Sequence, residues 1–409
     1  MKLLVPKINF CAGLLAAALL TGCATNQPTT LKAAFKKHFY VGVAINRDIA
    51  TGDAVQADNV RRTPEQVQKD IALVKEQFNQ ISPENDMKWQ IIQPRPGPDG
   101  YNFGPADAYV NFGLRNHMYI VGHCLVWHNQ TPNWVFQGTN LPPETANAPE
   151  GRGPGFVFGS YFYNGPRCSR DELLERMREH IFTVVGRYKG KVKVWDVVNE
   201  AVADNGTNLL RNSLWLQIIG PDFIAKAFEY AHEADPHAIL RYNDYGLENP
   251  VKRHKLMALI KSLQAQRVPV MAIGSQTHVS VSSPTFEQED QELTDLESLG
   301  LPIHITELDV NGARRGQRGN SGDIAASAAS TEGGLVSEAE QKQADAYSNL
   351  FRAFIKHKSV KLVTFWGVND GVSWLARGRP LLFDANDQPK PAFYTVMRVA
   401  TGKPPEADK

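Results

Sequence analysis

Residues 193–200 read Lys193-Val194-Trp195-Asp196-Val197-Val198-Asn199-Glu200, and residues 303–307 read Ile303-His304-Ile305-Thr306-Glu307. Each is a largely apolar, β-branched run of strand length that ends on a glutamate. Working outward from these two, runs of similar character recur, giving candidate strands at 39–44, 79–82, 119–123, 192–199, 239–243, 271–276, 303–306 and 362–366. Between them lie segments whose apolar residues fall at helical spacing, such as Val67, Ile71, Val74 and Phe78, or Ala344, Tyr347, Phe351 and Phe354. Several of these segments carry a mechanism for starting a helix. Thr63 followed by Pro64 supplies an N-cap and a first-turn proline, while Ser169 with Glu172 and Ser337 with Glu340 match capping boxes.

Strands separated by helices imply parallel βαβ units, and closing about eight of them predicts an α/β fold of the (β/α)8 TIM barrel type in a single domain. An open doubly wound sheet is the rival architecture. It would place a Gly-rich phosphate turn after the first strand and gather functional residues at one switch point, whereas here polar residues end nearly every strand. Two stretches interrupt the alternation. Residues 137–167 are rich in Pro, Gly and Asn, and residues 311–336 hold Gly, Ser and Ala with few large apolar groups, so both read as long loops on the face that carries the strand ends.

The 409 residues are 42% hydrophobic and 21% charged, enough apolar material for a large core. A formal net charge of +1 lacks the basic footprint that nucleic acid requires, so no nucleic-acid partner is expected. Lys2 and Lys7 accompany an apolar run at 8–20 that is too short to span a bilayer, so residues 1–22 read as a secretory signal. Leu20-Thr21-Gly22-Cys23 resembles the bacterial lipobox, which implies acyl chains on Cys23 that hold an exported protein to a bacterial membrane, at the outer membrane or cell surface. The expected organisation is a signal at 1–22, a short tether at 23–30, the barrel at 31–402 and a tail at 403–409. With Cys11 in the signal and Cys23 lipidated, Cys124 and Cys168 remain, and both are expected as free, partly buried thiols.

A carboxylate at the C-terminal end of a barrel strand points into the mouth where such folds keep their chemistry, and two that face each other can hydrolyse a glycosidic bond. Position alone is weak evidence among 43 acidic residues, most of which must be solvated surface groups. The company is more telling. Glu84, Asn85 and Lys88 follow the second strand; His123, Trp127, His128 and Gln130 end or follow the third; Asn243 and Tyr245 the fifth; Gln276 and His278 the sixth; Trp366 and Trp374 the eighth. Indoles offer flat apolar faces to sugar rings, while amides, Lys and His give directional hydrogen bonds to hydroxyls. Asn243 is counted with the others as substrate-binding. His123, His128, His278 and His304 also raise the question of zinc, but their spacing matches no H-E-x-x-H helix and no cysteine cluster accompanies them, so neither a metal nor a cofactor is expected.

The segments TPEQVQKDIALVKEQFNQISPENDMKW at 63–89, GHCLVWHNQTPNWVF at 122–136, WDVVNEA at 195–201, RYNDYG at 241–246, IGSQTHVS at 273–280, HITELDV at 304–310 and TFWGVND at 364–370 resemble, in order, glycoside hydrolase family 10, the retaining endo-β-1,4-xylanases. The resemblance implies a (β/α)8 barrel in which Glu200 is the general acid/base and Glu307 the nucleophile. It implies that His278 hydrogen-bonds the nucleophile and is oriented by Asp309, and that Asn199 binds the 2-hydroxyl of the sugar under attack. Glu84, Asn85, Lys88, His123, Trp127, Gln130, Gln276, Trp366 and Trp374 would line the glycone side, and Tyr245 the aglycone side. Xylan or xylo-oligosaccharides would be the partner of a monomeric enzyme. Glu200 must then be protonated at the first step, its pKa raised by Glu307 and by enclosure, while hydrogen bonds keep Glu307 ionised. Three departures stand out: Cys124 where the family often has Thr or a similar small residue, Gly246 where Asn commonly follows the Tyr, and a longer loop at 137–167. Two other readings are a related β-1,4-glucanase and a non-catalytic carbohydrate-capture lipoprotein; the second should lack a catalytic carboxylate, and both are present.

Overall fold

The computed structural model describes residues 29–55, 62–138, 163–312 and 337–402. The signal, Cys23, the tail and most of both long loops therefore lie outside the described residues. Nine strands are present among the described residues: β1 Tyr40–Ile45, β2 Gln80–Pro83, β3 Tyr119–Trp127, β4 Val194–Asn199, β5 Ile239–Asp244, β6 Ala272–Ser275, β7 His278–Ser280, β8 Ile303–Asn311 and β9 Val360–Phe365. All pair in parallel. β1 to β6 lie side by side, β6 pairs with β8, β8 with β9, and β9 returns to β1, so eight strands close the expected barrel. The ninth, β7, pairs with the outer end of β8, through His278↔Asp309 and Ser280↔Asn311.

The pairing corrects two strand ends. The run at 303–307 does not stop at Glu307. Once β6 has peeled away after Ser275, β7 offers a second set of partners, and β8 continues to Asn311. β3 likewise extends past His123, because Val126 and Trp127 pair with Val198 and Asn199 after a register shift.

Each strand of the ring is followed by a main helix that packs outside it. Helix Pro64–Gln77 buries Val67, Ile71 and Val74, and helix Glu338–Lys356 buries Ala344, Tyr347, Leu350, Phe351 and Phe354, which are the stripes that the spacing predicts. The boxes at Thr63/Gln66 and Ser169/Glu172 are complete. At Ser337 only half a box forms: the hydroxyl accepts from the Glu340 N–H, but the Glu340 carboxylate takes the Ser337 hydroxyl at 3.1 Å in place of the backbone amide. Cys124 and Cys168 are free and more deeply enclosed than expected, at 2% and 6% exposure.

The barrel interior changes character along its axis. Val121, Val194 and Leu362 form a small apolar plug at the inner ends of their strands. Above it lies a charged layer. Arg241 donates from Nε and Nη2 to Asp196 at 2.6 and 2.9 Å, the other side of Asp196 meets His123 Nδ1 at 3.0 Å, and Arg241 Nη1 reaches His304 Nδ1 at 3.1 Å. Burial works to raise the Asp196 pKa, but the Arg241 charge and the His123 hydrogen bond outweigh it and hold the group at about 2. A buried charge is tolerable only when paired this fully.

Tight packing around Trp195, which is 0% exposed, depends on Gly122: a Cβ there would lie 2.3 Å from two indole carbons. Gly122→Ala is expected to destabilise the protein by about 1–3 kcal/mol through overpacking, read as a fall in the denaturant midpoint; an unchanged midpoint would contradict the packing described.

Candidate active site

Glu200 is the first residue beyond β4, and its backbone is left-handed at φ +57. That turn throws its side chain off the strand's own alternation and into the barrel mouth. Trp127 Nε1 donates to Glu200 Oε2 at 2.8 Å, while Gln276 Nε2 and Asn199 Nδ2 donate to Oε1 at 2.9 and 3.3 Å. Glu307 comes from within β8. Asn243 Nδ2 donates to its Oε1 at 2.8 Å and His278 Nε2 to its Oε2 at 3.1 Å. His278 is oriented from its other side, where Nδ1 meets Asp309 Oδ2 at 2.9 Å. The site thus brings Glu200, Glu307, Asn199, His278 and Asp309 together.

The two carboxyls differ in their surroundings. Burial raises the Glu200 pKa above its ordinary 4.5, aided by the negative charges of Asp244 and Glu307 and opposed by the hydrogen bonds from Gln276 and Trp127. Burial presses Glu307 the same way, but the His278 hydrogen bond and the fields of His123 and His278 win, leaving it below 4.5. One group therefore tends to hold its proton where the other gives it up, the division of labour that acid and nucleophile require.

The remaining residues named from the sequence divide into two patches. Lys88 Nζ donates to Asn85 Oδ1 at 2.8 Å and lies 5.2 Å from the Trp127 ring centroid, and Gln130 Nε2 donates to the same Asn85 oxygen at 3.3 Å. Glu84, half-buried, directly precedes Asn85 at the end of β2. Trp366 stands edge-on to His123 at 5.4 Å, and Trp374, 60% exposed, donates from Nε1 to Asp309 Oδ2 at 2.9 Å. Tyr245 belongs to a separate ionic cluster, in which its hydroxyl donates to Asp204 Oδ2 at 2.7 Å and Lys252 Nζ sits 3.4 Å from its ring centroid. Gly246 occupies φ +68, a conformation glycine takes without strain, which gives the substitution at that position a local reason.

Asn243 departs from expectation. It is 0% exposed, its Nδ2 donates to Asn199 Oδ1 at 3.0 Å as well as to Glu307, and its Oδ1 accepts from the Thr306 hydroxyl at 2.7 Å. Its side chain is occupied in supporting its neighbours, with no face left toward a ligand. Gly274 makes room for it, since a Cβ there would fall 2.3 Å from Asn243 Oδ1. The four histidines disperse into different roles: His123 on Asp196, His304 on Arg241, His278 between two carboxylates, and His128 with its Nε2 3.9 Å from Glu200 Oε2, beyond hydrogen-bond reach. Burial and the Arg211 charge push His128 down to about 3, so it is neutral beside Glu200 and makes no ion pair with it. Among the described residues no group of three His, Cys, Asp or Glu side chains is arranged to hold a metal ion. Sequence reasoning missed Asp196, Arg241, Thr306, Asp244, Asp204 and Arg211. A signal existed for the first two, since a charged residue in the middle of an otherwise strand-like run needs a buried partner.

A model of the family described as Glycosyl hydrolase family 10 matches residues 30–399. A protein named beta-1,4-xylanase from Dictyoglomus thermophilum is 40% identical over 334 residues, covering 80% of this chain and 83% of that one. An endo-1,4-beta-xylanase from Geobacillus stearothermophilus is 38% identical over 378 residues, covering 90% and 98%. Among solved structures, a GH10 endoxylanase retrieved from sugarcane soil metagenome superimposes with a TM-score of 0.76 at 35% identity, covering 91% of this chain and 100% of that one.

His278 gives the site a measurable pH signature. Both ring nitrogens face carboxylate oxygens, an arrangement that calls for two N–H donors and hence the charged ring. Burial opposes that charge, but Asp309 and then Glu307 lift the pKa from 6.5 to about 10. Because the folded value lies above the unfolded one, the stabilisation is complete below about pH 6.5 and is lost as pH rises through about 10. The stability gap between the native protein and His278→Gln should therefore be widest on the acid side of that window and narrow toward its alkaline end. Denaturant unfolding across the window checks this, and a constant gap would show that the ring is uncharged.

Proposed function

This chain belongs to glycosyl hydrolase family 10, and on that premise we propose that it is a retaining endo-β-1,4-xylanase that cleaves internal bonds of xylan by double displacement. The carrying observation is the asymmetry of the two carboxyls, one held ionised by His278 and the other pushed toward its protonated form by burial and neighbouring negative charge. Glu307 attacks the anomeric carbon while Glu200 gives its proton to the departing sugar oxygen, leaving a glycosyl ester on Glu307. Forming that ester removes a negative charge from the vicinity of Glu200. Its reason to hold a proton weakens, and it then takes one from the incoming water, which releases the sugar with its original configuration.

Around this pair, Asn199 is assigned to the 2-hydroxyl of the reacting sugar and His278 with Asp309 to the support of Glu307. The patch of Glu84, Asn85, Lys88, Trp127 and Gln130, with His123, Gln276, Trp366 and Trp374, is assigned to the glycone side, and Tyr245 to the aglycone side. The organisation proposed for the chain is the catalytic barrel at 31–402, preceded by a signal at 1–22 and a tether at 23–30 that begins at the lipidated Cys23, and followed by a tail at 403–409. On this reading the enzyme is exported and held at the outer membrane or cell surface.

Glu307→Ala should lower turnover by on the order of 10⁴-fold or more, and added azide should restore it with a product of inverted configuration. Glu200→Ala should keep slow turnover of aryl xylobiosides with good leaving groups. Near-normal activity in Glu307→Ala would overturn the assignment of the nucleophile, and faster turnover of aryl cellobioside than of aryl xylobioside would favour a glucanase. Cys23→Ser should move the protein from the membrane to the soluble fraction; retention at the membrane would refute the lipid anchor.

A further inference from the structure

A non-glycine residue in the left-handed region carries a conformational cost and keeps that shape only where its surroundings impose it. At Glu200 those surroundings are specific. The Glu200 N–H donates to the Asn243 carbonyl at 2.9 Å, and the N–H groups of Ala201 and Val202 donate to the Tyr242 hydroxyl oxygen at 2.9 and 3.0 Å. Val202 N–H also faces Asp244 Oδ2 at 3.3 Å. All of these partners stand on β5, the neighbour of β4.

The Glu200 carbonyl is held by a residue from elsewhere. It accepts from Arg211 Nε at 3.0 Å. Arg211 lies at the far end of the excursion that leaves β4, which is closed by the Val202↔Leu210 bridge and by the Arg211 N–H donating to the Ala201 carbonyl at 2.8 Å. The Arg211 side chain is only 13% exposed and is itself fixed: Nη2 donates to Asp204 Oδ2 and to the Tyr245 hydroxyl oxygen, each at 2.9 Å. Lys252 closes the circuit, with Nζ 2.7 Å from Asp204 Oδ1 and 2.9 Å from Asp244 Oδ1. One guanidinium thus links the backbone that aims the Glu200 carboxyl to the hydroxyl of Tyr245.

We propose that Arg211, fixed by Asp204 and Tyr245, is a positioning residue that aims the Glu200 carboxyl at the leaving-group oxygen. This rests on the reading of Glu200 as the acid/base. In the first step the anomeric carbon gains a bond to the Glu307 oxygen as its bond to the leaving oxygen breaks, and the Glu200 proton moves to that oxygen. A leaving group that is stable as an anion departs without the proton, whereas a sugar hydroxyl does not. Misaiming Glu200 therefore penalises poor leaving groups selectively, while a general loosening of the site would penalise all substrates alike.

The test measures kcat/KM, which reports this first step, on the full chain for a series of aryl xylobiosides of graded leaving-group acidity and for unsubstituted xylo-oligosaccharides. Arg211→Met should lose about tenfold on xylo-oligosaccharides and phenyl xylobioside and less than about twofold on dinitrophenyl xylobioside. Arg211→Lys should recover part of the loss. Asp204→Asn, which leaves Arg211 in place but removes an anchor, should show the same selectivity at smaller size and serves if Arg211→Met does not fold. Losses equal across the series, or no loss, overturn the proposal. Glu200→Ala measured in parallel separates the two claims: selectivity there without selectivity in the Arg211 and Asp204 variants refutes the positioning role alone, and no selectivity in Glu200→Ala removes the acid/base reading and the proposal with it.

Discussion

Two carboxyls in one enclosed cleft repel each other, and a single buried amide ties the support of one to the other. Asn243 sits at the end of β5, between the strands that supply Glu200 and Glu307. Its Nδ2 hydrogens go to Asn199, beside Glu200, and to Glu307 itself, while its carbonyl is pinned by Thr306. With every polar atom used and no exposure, it has one orientation that satisfies its partners and a heavy desolvation cost for any other. The backbone of the same residue accepts the Glu200 N–H, so side chain and main chain together fix both ends of the pair.

Beneath that amide the barrel is charged where such interiors are ordinarily packed with branched apolar side chains. Asp196 and Arg241 neutralise each other and spread hydrogen bonds to His123 and His304. His123 in turn contributes to keeping Glu307 ionised and packs against the edge of Trp366. The charged layer is thus continuous with the floor of the cleft. His278 and Asp309 form a second line of support from the side, and Trp374 joins it through its indole N–H. Glu307 accepts from Asn243 and from the His278 ring, whereas Glu200 accepts from amide and indole donors alone and feels the negative charge of Asp244.

Much of this was legible in the chain. The ring of parallel strands followed from apolar runs alternating with helical spacing, and both glutamates were visible because each follows an apolar strand-like run, which is a local feature. The strand limits were less legible. β8 runs on to Asn311 only because β7 lies beside its outer half, and no property of residues 303–311 alone announces a second partner. Asn243 read as a ligand contact for the same reason: a polar residue at a strand end faces a cleft or a neighbour according to what stands opposite it.

The sequence by itself determined the class of fold and the order in which the strands and helices of its ring follow one another, because periodicity and caps are properties of neighbours along the chain. The tertiary structure alone decided which strand-end groups touch. It decided that Arg241 would neutralise Asp196, that Arg211 would return to the carbonyl of Glu200, and that burial, which raises both carboxyls, would prevail at Glu200 but yield at Glu307 to the His278 hydrogen bond and the fields of His123 and His278. The physical reason is common to all three. Desolvation and Coulomb interactions sum over groups close in space, and here those groups come from strands far apart in the chain.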